Sequence, residues 1–213
     1  MQNVAVFDFD GTVIRSDSII ALVGYAFLRR LIRLPELMHI ALCFIRHRCK
    51  KLDVLDVKRA TQAFLSRMEP KAREEFLRAF AQTLVNRAYP EAVAQMRAHK
   101  ENGDIVLLCS ASCDSYMKYV AAMLPVDDLL CTPCDDTGYV LGPNCRWEEK
   151  VTRVRAWLKA HNLPDNALSA GYGDTLGDHF ILEICREPVL VNPKAALVQK
   201  MPHARQVQWH EAK

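Results

Sequence analysis

The chain has 213 residues, half of them hydrophobic and a quarter charged, which suits one α/β domain or a core with a modest inserted subdomain and excludes general disorder. A net charge of +3 is too mild to point to nucleic acid. Eight cysteines without regular spacing do not form the disulfide framework of a small secreted domain. Val4 to Asp8 reads as a buried strand, followed by a turn at Gly11-Thr12. A strand that early leaves no room for an export signal, so the expected setting is the reducing cytoplasm, with free thiols. From about Ser18 to Ala88 the pattern is helical. Leu37, Ile40, Ala41, Phe44 and Ile45 keep one face, and so do Phe76, Phe80 and Leu84. Pro70 stands where a first helical turn tolerates it, and no strand pattern interrupts this all-helical insert. Neither Ile19 to Leu28, stopped by Arg29 and Arg30, nor Leu37 to Ile45 reaches the roughly 18 to 20 apolar residues of a membrane span.

After Pro90 strands and helices alternate. Glu91 to Lys100 is predicted helical and Gly103 breaks it, so that Ile105 to Cys109 forms an apolar strand. A helix at Asp114 to Met123 and a strand at Leu129-Leu130-Cys131 follow, with Tyr139-Val140-Leu141 as a candidate hairpin arm between two glycines. A helix at Glu148 to Ala160, a strand near Leu168 to Tyr172, a helix at Gly177 to Cys185 and a strand at Val189 to Val191 complete the order. Apolar strands alternating with helices imply a Rossmann-like parallel sheet covered on both faces.

Ligands of such sheets bind at the carboxyl ends of the strands. Those ends carry Asp8 and Asp10, Ser110, and Asp174 with Asp178, and Lys150 starts a helix beside them. Two carboxylates at alternate positions repel unless a cation is present. Mg²⁺ prefers oxygen ligands, so Asp8, the Asp10 carbonyl and Asp174 are its candidate holders. Phosphoryl transfer needs an in-line nucleophile, positive charge on the equatorial oxygens and a proton for the leaving alkoxide. Asp8 suits the first role and Asp10 the proton transfers. Ser110, the neighbouring Ala111 amide and Lys150 suit the phosphoryl oxygens.

Four ordered segments carry a family resemblance: Asp8-Phe9-Asp10-Gly11-Thr12-Val13, Leu107-Leu108-Cys109-Ser110-Ala111-Ser112, Glu149-Lys150-Val151, and Gly171-Tyr172-Gly173-Asp174-Thr175-Leu176-Gly177-Asp178. Together they resemble the motifs of the haloacid dehalogenase superfamily, and the early helical insert resembles the phosphoserine-phosphatase branch. The resemblance implies Asp8 as nucleophile, Asp10 as acid and base, Ser110 and Lys150 on phosphate, and Asp174 on Mg²⁺. It also implies Asp178 behind the metal or as partner of Lys150, and residues 15–88 as a helical cap over a core of residues 1–14 and 89–213. Dehalogenating members lack the second carboxylate and transport ATPases carry threonine there, so Asp10 points to phosphate-ester hydrolysis. A phosphotransferase using the same nucleophile, or a phosphoserine phosphatase proper, stays open as an alternative; a non-catalytic binding module is disfavoured by the intact motifs.

Asp17 occupies the position where phosphoserine-specific look-alikes carry a glutamate that meets the substrate amine. Trp147 stands where look-alikes often have glycine. Cys131 and Cys134 form a C-x-x-C pair, with Cys145 beyond, but zinc would need a fourth ligand. The insert also holds a cationic stretch, Arg29, Arg30, Arg33, Arg46, Arg48, Lys50 and Lys51, with Glu36 the one acid among them. Such a stretch is ordinarily a solvated face; beside apolar helical faces it also suits anionic lipid. The partners expected are therefore a small phosphorylated substrate or a lipid headgroup, with peripheral membrane contact, no transmembrane segment and no nucleic acid.

Overall fold

The computed structural model describes residues 2–211. The first strand, β1 (Val4–Phe7), is buried at every position and leads into a helical stretch, α1 (Ser18–Leu28), α2 (Leu34–Arg48), α3 (Val54–Gln62), a short 3-10 turn and α4 (Pro70–Val85). Helix starts follow local chemistry. The carboxylate of Asp17 accepts from the amides of Ile19 and Ile20, that of Asp53 accepts from Leu55, and Pro70 and Pro90 open α4 and α5 (Pro90–Glu101).

The sheet then continues with β2 (Ile105–Cys113), α6 (Asp114–Ala121), β3 (Asp128–Thr132), α7 (Glu148–Ala160), β4 (Leu168–Gly173), α8 (His179–Glu183), β5 (Glu187–Val191), α9 (Ala195–Lys200) and β6 (Arg205–Val207). All six strands are parallel, in the order β3-β2-β1-β4-β5-β6. Chain direction across the sheet reverses between β1 and β4, the topological switch point where ligands of doubly wound sheets bind. Alternate residues of β1 serve opposite faces. Ala5 and Phe7 pack with Met96 of α5 and Tyr116, Met117 and Val120 of α6; Val4 and Val6 pack with Val154 and Leu158 of α7 and Ile181 of α8. The helical stretch joins the first of these clusters, and Phe80 of α4 meets Tyr116 of α6 edge-on, ring centroids 5.4 Å apart.

Several expectations need correction. Tyr139-Val140-Leu141 forms only a minimal hairpin arm: it returns antiparallel to Pro133, Cys134 and Asp135 through two backbone hydrogen bonds, with Val140 buried and Tyr139 and Leu141 facing outward. The predicted helix at Gly177 to Cys185 is a 3-10 turn at Leu176–Asp178 followed by the short α8. β2 runs four residues beyond Cys109, and α9 and β6 carry no sequence expectation at all. No helix among the described residues is long and apolar enough to cross a membrane.

Candidate active site

β1 ends at the switch point, and the chain turns there at once. The Phe9 carbonyl accepts from the amides of Thr12, Val13 and Ile14, at 3.2, 2.8 and 3.1 Å. Gly11 has φ +87°, and a Cβ on it would overlap the carboxylate of Asp174. Glycine is thus required twice, for the left-handed backbone and for the close approach of two acidic loops. Asp174 follows β4 directly, so neighbouring strands deliver both carboxylate groups to one spot.

Asp8, Asp174 and Asp178 each offer a carboxylate oxygen within 4.8 Å of the others. Lys150, on the first turn of α7 and 1% exposed, sends its ammonium to Asp8 Oδ1 at 2.5 Å and Asp178 Oδ1 at 2.7 Å. The other oxygen of Asp178 accepts from the amide and hydroxyl of Thr175, at 3.1 and 2.9 Å. Three carboxylates against one ammonium leave a formal charge of −2. Burial, together with Asp178, pushes Asp8 well above the ordinary carboxylate range despite Lys150. Burial opposes ionisation of Asp178 too, but Lys150 and the hydrogen bonds from Thr175 together hold this group low. Burial, then Asp178, pushes Asp174 up to about 7. Oδ1 of Asp174 is buried and meets no hydrogen-bond partner. An orphaned buried oxygen in a cluster of three carboxylates, two of which burial pushes toward the neutral form, is a donor set that suits a hard divalent cation.

Asp10 is held differently. Oδ1 accepts from the Ser18 amide at 2.8 Å, and Oδ2 from the hydroxyls of Ser112 at 2.5 Å and Ser18 at 3.0 Å. Ser18 Oγ in turn contacts Tyr116 Oη at 2.9 Å. Burial, then the charge of Asp17, raises Asp10 to about 6, and the serine hydrogen bonds pull the other way. Ser110, 1% exposed, accepts the Ser112 amide at 3.0 Å and lines with Ala111 the same cavity as the aspartates and Lys150. That cavity measures about 380 Å³.

The family model described as haloacid dehalogenase-like hydrolase matches residues 5–183. The chain belongs to that family. Protein CicA of Caulobacter vibrioides (strain NA1000 / CB15N) is 35% identical over 195 residues, 86% of this chain and 83% of that one. A histidinol-phosphatase of Neisseria meningitidis serogroup C (strain 8013) is 27% identical over 207 residues, 92% and 93% of the two chains. In fold, the chain is similar to the crystal structure of a probable phosphoserine phosphatase from Vibrio cholerae, with a TM-score of 0.74 at 17% identity over 99% of this chain and 62% of that one.

In this hydrolase Asp8, Asp10, Asp174 and Asp178 follow the ends of β1 and β4, Ser110 lies in the second half of β2, and Lys150 is in the first turn of α7. Asp17 has a structural task, capping α1 through Oδ1, and stands exposed on the cavity wall. Trp147 precedes α7 at φ +56°, a backbone state that glycine adopts freely, which accounts for glycine at this place in look-alikes. Among the described residues Cys131, Cys134 and Cys145 do not converge as a metal group; Cys145 instead lies 3.9 Å from Cys109, sulfur to sulfur. Sequence reasoning missed Lys58. It reaches from α3 into the core, 7% exposed, and donates to the Ala111 carbonyl, to Asn144 Oδ1 at 2.5 Å and to Thr132 Oγ1 at 3.3 Å. Burial lowers its pKa. A lone lysine on a helix has the signature of a solvated one, so no pattern marks it.

Proposed function

We propose that this hydrolase cleaves a small phosphomonoester through an aspartyl-phosphate formed on Asp8, and that residues 15–88 cap the site. The observation that carries the proposal is the pairing of buried Asp8 with Lys150 beside a separately held Asp10 in one cavity. Lys150 occupies Asp8 Oδ1, so the other oxygen is the attacking one. Attack on phosphorus breaks the ester P–O bond, and protonated Asp10 gives its proton to the departing alkoxide. Asp10, now ionised, takes a proton from the water that attacks the acyl phosphate, and inorganic phosphate leaves with Asp8 regenerated. Ser110, the Ala111 amide and Lys150 hold the phosphoryl oxygens through both steps. Asp8, the Asp10 carbonyl and Asp174 would hold Mg²⁺, which neutralises phosphoryl charge when bound. Asp178 positions Lys150 from behind. The interior of the cell is the setting proposed, on the eight free thiols.

The relative named histidinol-phosphatase supports a small metabolite ester, and a cavity of about 380 Å³ accommodates one. A lipid-headgroup ester is the second reading, favoured by Phe44 and His47 of α2 on the cavity wall next to the outward-facing Ile45. Rapid acid quench with a ³²P-labelled aryl phosphate tests the common core. Label should appear on Asp8, and Asp8→Asn should abolish turnover without altering the fold. Near-normal turnover by Asp8→Asn overturns the proposal.

A further inference from the structure

α2 is apolar on both sides. Ile40 and Cys43 are buried against the rest of the helical stretch, as an amphipathic helix requires. The opposite side should be polar, yet it exposes Leu34, Met38, Leu42 and Ile45, with Met38 66% and Leu34 62% open to solvent. Spacings of four, four and three residues put these side chains within one narrow stripe. At 1.5 Å per residue the stripe is about 17 Å long. α1 adds Leu28, 80% exposed, just before the turn that leads into α2. Isolated apolar side chains on a surface need no explanation, but a continuous row does.

Both ends of the row are cationic. Arg29, Arg30 and Arg33 precede it, and Arg46, Arg48, Lys50 and Lys51 follow it. Arg29 lies over the Tyr25 ring, its guanidinium carbon 3.5 Å from the centroid. Among the described residues none of the seven has a carboxylate within ion-pair distance. The one acid of the stretch, Glu36, is taken by Arg67 and by the Arg33 amide. A solvated face would mix signs and carry few apolar groups. This one combines a row of apolar side chains with uncompensated positive charge at both ends.

We infer that the outer face of α2, with the end of α1, is a docking surface for an anionic lipid bilayer, with the helix lying in the interfacial plane. Charge decides against the competing occupant. A second copy of the chain, docked parallel or antiparallel, would bring cations against cations at both ends of the row. Anionic headgroups instead meet both clusters while Leu34, Met38, Leu42 and Ile45 enter the boundary of the acyl region. Docked this way, α2 stands between the membrane and the cavity, because Phe44 and His47, on the other side of the same helix, line that cavity.

The test is sedimentation of the full chain with vesicles of equimolar phosphatidylglycerol and phosphatidylcholine, beside vesicles of phosphatidylcholine alone. Binding to the anionic vesicles only is expected, falling as salt rises from about 0.1 M to 1 M and the screening length shrinks from about 10 to 3 Å. Each cation near such a surface contributes about five-fold to partitioning, so the triple variant Arg46→Ala/Arg48→Ala/Lys50→Ala should bind about 100-fold more weakly. Met38→Glu/Leu42→Glu should lose at least ten-fold by a separate route. Thermal unfolding should be unchanged in both variants, since all five side chains face solvent. Absence of binding to anionic vesicles, equal binding to neutral ones, or indifference to both variants overturns the inference. So does a concentration-dependent dimer that Met38→Glu dissolves, which would give the surface to a second copy. Vesicle binding is read without substrate, so it stands or falls apart from the hydrolytic mechanism.

Discussion

A carboxylate arranged to hold a cation is an energetic burden when the cation is removed, and Asp174 lets that burden be measured. The group is 4% exposed, one of its oxygens has no partner, and its pKa rises from the ordinary 3.8 to about 7, chiefly through burial and then through Asp178. Below pH 3.8 the group is protonated in both folded and unfolded chains. Between 3.8 and about 7 the unfolded chain releases its proton while the folded one keeps it, so stability falls as pH rises through this window and is level above it. At 1.36 kcal/mol per pH unit the full loss is about 4 kcal/mol. The exposed Lys194, 4.0 Å away, returns little of it. Asp174→Asn removes the ionisation and leaves an imperfectly paired amide that costs about 1 to 2 kcal/mol. In chelator at pH 8 the variant should therefore be more stable than the natural protein by about 2 to 3 kcal/mol, or roughly 5 to 10 °C in Tm for a chain of this size. At pH 4, where the burden is almost absent, the cost of the amide remains and the variant should be the less stable by about 1 kcal/mol. Mg²⁺ at about a thousand times its Kd should reverse the order at pH 8, because a ligand that binds only the folded state then stabilises it by about 4.1 kcal/mol. Differential scanning calorimetry across pH, with chelator and then Mg²⁺, measures all three arms. If Asp174→Asn is the less stable protein in chelator at pH 8, the burden assigned to Asp174 does not exist and the reasoning fails.

Two further outcomes follow from the same loops. Gly11→Ala should cost more than about 1 kcal/mol through the left-handed backbone alone, and should also weaken Mg²⁺ binding, because the new Cβ displaces the Asp174 carboxylate; calorimetric titration that finds normal Mg²⁺ affinity would refute the crowding argument. Asp10, raised to about 6, must be protonated to assist an alkoxide but not a p-nitrophenolate. Above about pH 7, where both substrates are dianions, the ratio of kcat/KM for an alkyl phosphate to that for p-nitrophenyl phosphate should fall about ten-fold per pH unit; a flat ratio would remove Asp10 from the acid role.

How much of the fold could be read from sequence depended on burial. β1 and the first half of β2, Ile105 to Cys109, lie inside a parallel sheet with helices on both faces, so their residues form unbroken apolar runs that need no alternation to be recognised. β6 is a three-residue edge strand, Arg205–Val207, with two exposed positions, and α9 buries only Leu197; neither leaves a periodic trace. Tyr139-Val140-Leu141 is an intermediate case. Its alternation is real, with Val140 inward and its neighbours outward, but one bridge to Cys134 pins the segment and no ladder forms. Alternation reports which side chains face inward, and pairing requires a partner strand that periodicity does not reveal.

The site divides along a similar line. Asp8, Asp10, Ser110, Lys150, Asp174 and Asp178 were legible because a parallel sheet gathers its strand ends, so residues far apart in sequence converge once the order of strands is known. Lys58, Ser18 and Tyr116 come from helices, where position along the chain says nothing about which strand end a side chain reaches. Asp17 shows the limit of reading by position. A carboxylate just before a helix has two tasks available, and the amides of Ile19 and Ile20 claim Oδ1 for the cap. Capping is compatible with a place on the cavity wall, so motif spacing alone could not separate a helix start from a substrate contact. The exposed face of α2 poses the reverse case. The sequence pattern of Leu37, Ile40, Ala41, Phe44 and Ile45 reads as one apolar face, and only the accessibility of Leu34, Met38, Leu42 and Ile45 shows that the helix has two, with Ile45 on the outer one. A chain keeps such a face at a cost in solubility, and the seven uncompensated cations at its ends define the kind of surface that relieves that cost.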